Sequence, residues 1–265
     1  MTSHLLQYLF LLFLIIGLAG AALGPNTGIM SCPENETISS EYRSNIDKLF
    51  SSLLMNGDFV IGFSNSSFGT GEVVYGLFLC RGDVNSSTCS KCVSTANSGL
   101  LNVCRRQSNK AGAWYDDCML RYSNETTFSK LDQSVNRLVM GWMDLSNSTR
   151  LMEVLGQDKL NDVINRAANG GSLKKYAVGE ADFNSTKKVT VYGQCTPDIS
   201  ASDCQTCLRT ANASLEGGVG IYYPSCVLSF DLEDIVLSGG GGVDISTKRS
   251  VAIIFTILLV FAGQI

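Results

Sequence analysis

Histidine is almost absent from this chain: the only one, His4, sits in an apolar N-terminal stretch. Past that stretch no Ser-His-Asp or Cys-His mechanism has its base, and the commonest zinc ligand is missing. Strong charge is missing too. The net charge is −4, so nucleic acid and anionic lipid are not expected as partners. The C-terminal apolar run, Val251 to Gly263, has 13 residues, short of the ~20 that a membrane-spanning helix needs.

What is present begins with an export signature. Leu5 to Leu18 is almost continuously apolar and Ala19-Gly20-Ala21 offers a small-residue cleavage site, so residues 1–21 read as a secretory signal peptide. An uncleaved signal anchor is the alternative, since the n-region has no Lys or Arg. Export makes disulfides the default state of the ten cysteines. Seven N-x-S/T sequons, at Asn35, Asn65, Asn85, Asn124, Asn147, Asn184 and Asn212, fit the same compartment as glycan acceptors.

At the other end, residues 238–250 form a Gly-rich polar linker and residues 251–265 a hydrophobic tail. Small residues, a polar spacer and a terminal apolar tail are the layout of a GPI-attachment signal. A stop-transfer helix carries its Lys and Arg on the cytoplasmic side, whereas Lys248 and Arg249 precede this run. A short membrane span and a functionless tail on a soluble protein stay open as alternatives.

Between these ends a pattern occurs twice. Cys80, Cys89 and Cys92 form C-x8-C-x2-C, and Cys195, Cys204 and Cys207 repeat it. Val74-Tyr75-Gly76 precedes the first triplet as Val191-Tyr192-Gly193 precedes the second, and Thr95-Ala96-Asn97 answers to Thr210-Ala211-Asn212. Tyr115, Cys118, Leu120 and Tyr122 match Tyr223, Cys226, Leu228 and Phe230. A cysteine-stapled module has been duplicated, with the copies at residues 28–130 and 136–237.

Within each copy, periodicity sets the elements. Tyr42, Ile46, Leu49, Leu53 and Leu54 share one face of a helix from Ser40 to Asn56, capped by Ser39 or Ser40 and ended by Gly57. Phe59–Phe63 and Glu72–Leu79 read as strands, a shorter helix begins at the x8 loop, and strands follow near Ala113–Tyr115 and Met119–Tyr122. In the second copy Leu151, Val154, Leu155, Val163, Ile164 and Ala167 line a long helix that stops near Gly170. Lys188–Gly193 is expected as a strand and Cys204–Leu215 as the short helix, with a capping box at Ser202-x-x-Gln205. Val219–Tyr223 and Val227–Phe230 close the copy as strands. Hairpins plus two helices per unit predict an α+β fold with antiparallel sheets.

The doubled C-x8-C-x2-C with its Tyr-Gly and Tyr-x-x-Cys flanks resembles the plant ginkbilobin-homologous family, whose domain is also called salt-stress response/antifungal. That domain occurs in cysteine-rich repeat secretory proteins, plasmodesmata-located proteins and the ectodomains of cysteine-rich receptor-like kinases. The resemblance implies, in each module, an antiparallel sheet of about five strands packed with two helices. It also implies the pairs Cys32–Cys104, Cys80–Cys89 and Cys92–Cys118, with Cys195–Cys204 and Cys207–Cys226 in the second module.

Several catalytic readings are weak. Cys89, Cys92, Cys104 and Cys118 as a thiolate zinc site conflicts with export and with the family's disulfides. Ser172-x-x-Lys175 and Ser185-x-x-Lys188 match S-x-x-K without its companion motifs. Asp116, Asp117, Glu125 and Asp231 are carboxylates near strand ends, ordinarily solvated surface. No cofactor is implied.

A lectin reading has more substance. A founding antifungal member of the family binds mannose through an Asn, an Arg and a Glu. The matching positions of the first module hold Pro33, Gly112 and Ser123; the second keeps only Asp231 beside Gly220. That route is therefore not expected. Trp114 and Tyr115, with Tyr222 and Tyr223 in the second copy, are the aromatics that either stack on a ligand or pack beneath the disulfide.

The expectation is thus a non-enzymatic, secreted or surface-held module of the plant apoplast in stress or defence responses. Its expected partner is an extracellular protein, with receptor-like kinases as candidates; a carbohydrate bound at a rebuilt site is the alternative. In the chain-entropy picture the long Cys32–Cys104 loop contributes ~4–5 kcal/mol and each C-x8-C loop roughly 2.5–3. The second module lacks the long staple. Expressed separately, it is expected to melt below the first; thermal denaturation of the two modules checks this, and a second module that melts later contradicts it.

Overall fold

A computed structural model describes residues 28–32, 38–104, 108–134, 137–139, 145–171, 173–215 and 220–234. The expected signal peptide, Pro33, Asn35, the Gly-rich linker and the C-terminal tail lie outside these residues.

The first module runs β1 (Ile29–Ser31), α1 (Ser40–Asn56), β2 (Phe63–Phe68), β3 (Val74–Cys80), α2 (Ser86–Val103), β4 (Lys110–Trp114) and β5 (Cys118–Ser123). The second runs β6 (Arg137–Val139), α3 (Leu145–Ala168), β7 (Lys175–Asp182), β8 (Lys187–Cys195), α4 (Ala201–Ala213), β9 (Gly220–Tyr222) and β10 (Cys226–Asp234). The fold is α+β. Each module has one five-stranded antiparallel sheet, ordered β1-β4-β5-β3-β2 and β6-β9-β10-β8-β7, with two helices on one face.

Local chemistry explains the boundaries. Ser39 caps α1 by accepting from the Tyr42 N–H, and the Gly57 N–H bonds back to the Leu53 carbonyl. Asn85 caps α2, which at 18 residues is far longer than the short helix expected. The cap of α4 is Ser200, which accepts from the Asp203 N–H at 3.0 Å and donates to the Asp203 carboxylate at 2.7 Å. This reciprocal pair lies two residues ahead of the expected Ser202-x-x-Gln205 box.

Other expectations shift for similar reasons. Phe59–Ile61 is a turn, because the Asp58 carboxylate accepts from the Val60 and Ile61 N–H groups; Gly62 follows at φ 81°, and β2 starts only at Phe63. In α3, Gly156 at φ 65° breaks the helix into two. Leu151 and Leu155 lie before the break and Leu160, Val163, Ile164 and Ala167 after it, all buried in one core. Val154 is half-buried. Strands β1, β6 and β7 were not placed from the sequence, and they bring each sheet to the five strands that the resemblance implies.

The repeated motifs mark the helix–sheet contact. A Cβ on Gly76 would meet Leu49 of α1 at 2.7 Å, and one on Gly193 would meet Val163 of α3 at 3.2 Å. The Gly of each Val-Tyr-Gly thus lets a helix close onto the sheet. Ala96 and Ala211 of the two Thr-Ala-Asn repeats are fully buried on the second helices. Cys80–Cys89 and Cys195–Cys204 tie β3 and β8 to the helix that follows, Cys92–Cys118 and Cys207–Cys226 tie that helix to β5 and β10, and Cys32–Cys104 ties β1 to the end of α2. These are the five pairs that the family resemblance implies.

The helix-free faces of the two sheets meet each other. Strand alternation sends Phe78 and Cys80 into the first module's core and Leu77 and Leu79 out of it. Leu77, Leu79, Trp114 and Met119 form a separate buried cluster, packed by Tyr222 and Val227 of the second module. Hydrogen bonds fix the fit: Gln194 Nε2 donates to the Cys80 carbonyl at 2.8 Å, and Lys174 Nζ to the Gly82 carbonyl at 3.1 Å. A Cβ on Gly82 would lie 2.3 Å from the Tyr176 ring. Trp114, 2% exposed, is the largest side chain of this cluster. Trp114→Ala is expected to cost ~3–5 kcal/mol, whereas half-buried Tyr115 should matter less. Denaturant unfolding of the two variants checks the ranking, and a wild-type-like Trp114→Ala contradicts the packing.

Candidate ligand cleft between the modules

Where the two sheet faces diverge, they leave a shallow cleft with a volume of about 50 Å³. Its first-module wall is Leu79, Trp114 and Met119, the outward residues at the ends of β3, β4 and β5. Tyr176, Tyr192 and Tyr222 form the facing wall from β7, β8 and β9. The strand ends stapled by Cys80, Cys118 and Cys195 therefore hold both walls.

Arg81, just past β3, is the cation of the site. Its Nε donates to Asp83 at 2.6 Å and its Nη1 to the Asp116 carbonyl at 3.1 Å, with Asp117 at 3.6 Å. The guanidinium lies 5.5 Å from the Tyr192 ring centre. Burial works against its charge, but the bond and charge of Asp83, then Asp117, outweigh that and raise its pKa. Arg81 is thus a fixed wall rather than a free arm.

Asp231 stands exposed on β10 on the same sheet face. Loss of solvation against the sheet raises its pKa; attraction to Arg81 opposes this and repulsion from Glu233 and Asp116 adds to it. Burial pushes Tyr222 up to about 12. The cleft therefore combines aromatic surface with a carboxylate-rich rim. Its Trp114 wall also has an indole N–H that is buried without a hydrogen-bond partner among the described residues.

The residues singled out in the sequence are thus partly brought together. Trp114 and Tyr115 both line the cleft, and Asp231 is coupled to its Asp116 and Arg81. Trp114, however, is a buried wall and not an exposed stacking platform. Tyr223 packs in the second core, whereas Tyr222 faces the cleft. Arg81, Tyr176 and Tyr192 were missed. The apolar run Leu77 to Cys80 is the one signal pointing there, since it announces a strand covered on both faces.

The family's mannose positions are closed off. A Cβ at Gly112 would meet the Trp114 ring at 2.7 Å, and one at Gly220 would meet the Tyr222 ring at 3.0 Å, so an aromatic ring holds the space of the lost arginine in both modules. Ser123 instead accepts from the Glu125 N–H at 3.1 Å. Nearby, Arg121 is buried and held by Asp132 at 2.8 Å. Burial lowers the Arg121 pKa despite that partner, while its bond and the Ser134 bonds overcome burial to lower that of Asp132.

The catalytic candidates come apart. Ser172 lies outside the described residues, and Lys188 is paired with Glu180 at 3.2 Å and Glu233 at 3.3 Å, which raises its pKa and makes it a poor base. All ten cysteines are in disulfides. Among the described residues no group of His, Cys, Asp and Glu is arranged for a metal, and no helix is long and apolar enough to cross a membrane. Of the sequons, Asn65, Asn85, Asn124 and Asn184 are exposed, and Asn212 has a buried side-chain carbonyl inside α4. The Asn147 side chain is outside the described residues.

Comparison with known proteins places this architecture. The family model described as salt stress response/antifungal matches residues 31–125 and 145–233. Cysteine-rich receptor-like protein kinase 26 of Arabidopsis thaliana is 35% identical over 204 residues, covering 74% of this chain and 30% of that protein. The chain spans about a third of the length of the first such kinases it matches, and their kinase part lies outside the matched region. An antimicrobial ginkbilobin-2-like protein of Castanea crenata is 34% identical, covering 79% of this chain and 86% of that protein. The crystal structure of the tandem DUF26 ectodomain of the Arabidopsis thaliana cysteine-rich receptor-like protein PDLP5 superposes with a TM-score of 0.55 at 27% identity, covering 77% of this chain and 98% of that one. The chain belongs to the salt stress response/antifungal family and carries two of its domains in tandem.

Proposed function

We propose that this protein is a non-enzymatic recognition module of the plant cell exterior, acting in stress or defence by binding an extracellular protein at the cleft between its modules. The observation that carries this reading is the cleft itself: aromatic walls from both modules, with Arg81 and Asp116 between them. Buried aromatics and arginines in such pockets are the usual energetic centre of protein interfaces. Family membership supports the extracellular and stress-related part, as its relatives include receptor-like and antimicrobial proteins.

In this reading residues 1–21 direct export, and the tail beyond residue 250 either anchors the protein at the outer face of the plasma membrane or is dispensable. The partner is the ectodomain of a receptor-like kinase. A carbohydrate in the same cleft is the second reading, favoured by the tyrosines beside Asp231 and Asp116.

Surface binding of the glycosylated ectodomain to a panel of receptor-like kinase ectodomains, run beside a glycan array, separates the two. Saturable binding to a kinase ectodomain is expected, weakened at least ~10-fold by Tyr192→Ala or Tyr222→Ala, with no array signal. Array binding lost on Asp231→Ala, with no ectodomain bound, would overturn the protein-partner reading.

A further inference from the structure

Each sheet ends in an open edge strand, β2 in the first module and β7 in the second. An open edge is a template for another chain, and proteins blunt it with charge, proline or a covering group. The second module does so with side chains. Register and the Phe183 N–H bond to the Lys187 carbonyl leave the even-numbered residues of β7 with backbone groups facing outward. Two of those outward carbonyls, Val178 and Glu180, accept from Arg166 (2.7 Å) and Lys159 of α3. The strand also carries Lys175, Glu180 and Asp182.

In the first module the cover among the described residues is confined to the end of the strand, where Lys48 of α1 lies 5.2 Å from the Phe68 ring centre. Strand β2 reads Phe-Ser-Asn-Ser-Ser-Phe, without charge or proline. No side chain among the described residues donates to its carbonyls. The Cys80 N–H bonds to the Gly62 carbonyl at 2.7 Å, so alternation turns the backbone of Phe63, Asn65 and Ser67 toward the open side. Asn65 is the middle one of these three, it is exposed, and Asn65-Ser66-Ser67 is a sequon. It pairs directly with Leu77, so its side chain projects from the helix-free face beside the edge.

We propose that Asn65 carries an N-linked glycan that closes the β2 edge, serving the first module as Lys159 and Arg166 serve the second. A branched glycan rooted at the middle of a six-residue strand sweeps the space that an added strand would fill. The bond forms between the Asn65 amide nitrogen and C1 of the first sugar, breaking the sugar's bond to the diphosphate of a lipid-linked donor in the secretory pathway; the lipid diphosphate leaves and the amide gives up one proton.

The test is made on the chain secreted from plant or insect cells, with glycopeptide mass spectrometry for occupancy and light scattering across concentration for mass. Asn65 is expected to be modified. Asn65→Gln and Ser67→Ala, which destroy the sequon, should raise the mass at high concentration above wild type, whereas Ser66→Ala and Asn124→Gln should not. Ser67→Pro removes both the sequon and an outward N–H, and proline is tolerated at such an edge position. It is therefore expected to lose the glycan and still resist association, which separates edge pairing from a general loss of solubility. An unmodified Asn65 overturns the proposal, as does a glycan-free Ser67→Ala chain that matches wild type or a Ser67→Pro chain that associates as strongly as Ser67→Ala. If the sequon variants are not secreted, trimming the folded wild-type chain with an endoglycosidase gives the same readout, and a trimmed chain of unchanged mass overturns it.

Discussion

A sheet with helices on one face leaves the other face to be covered, and here each module covers the other. Leu77, Leu79, Trp114 and Met119 are covered by Tyr222 and Val227 of the second module together with Ile29, Phe63 and Phe128 of their own. Burying a large apolar side chain is worth ~1.5–3 kcal/mol relative to leaving it exposed, so this contact is comparable to a second core. Disulfides shape each module separately, and among the described residues none crosses between them. The tandem unit therefore rests on packing of the helix-free faces.

The cleft follows from that packing. The apolar faces meet at the Leu77, Leu79, Trp114 and Met119 cluster, and at the stapled strand ends Arg81 takes up position over Tyr192. Neither module alone has both walls. Within each module the Trp114 and Tyr222 rings lie over Gly112 and Gly220, where the family's mannose site would need long polar side chains.

Much of the fold was legible because duplication supplied an internal comparison. The cysteine spacing and the repeated Val-Tyr-Gly and Thr-Ala-Asn flanks exposed the duplication, and only the structure shows that their glycines and alanines mark the helix–sheet contact. Strand β7 escaped because Lys175, Glu180 and Asp182 make it look like a loop, although they are what an edge strand needs. Strand β2 was placed too early because the Asp58 turn competes locally with extension. The cleft was the least legible part. Trp114 reads as packed beneath the disulfide or open to a ligand until a second sheet is known to lie against it, and nothing local marks Arg81 as the residue that bridges to Tyr192.

The central claim is that the modules form one cooperative unit through their sheet faces. Urea unfolding of residues 28–234 with its disulfides intact tests it most directly, followed by both tryptophan fluorescence and far-ultraviolet circular dichroism. The account predicts a single transition, coincident by both probes, with a slope suited to about 200 residues unfolding together. Two separated transitions, each with the slope of one module, would show that the helix-free faces do not hold the modules together and would remove the basis for the cleft.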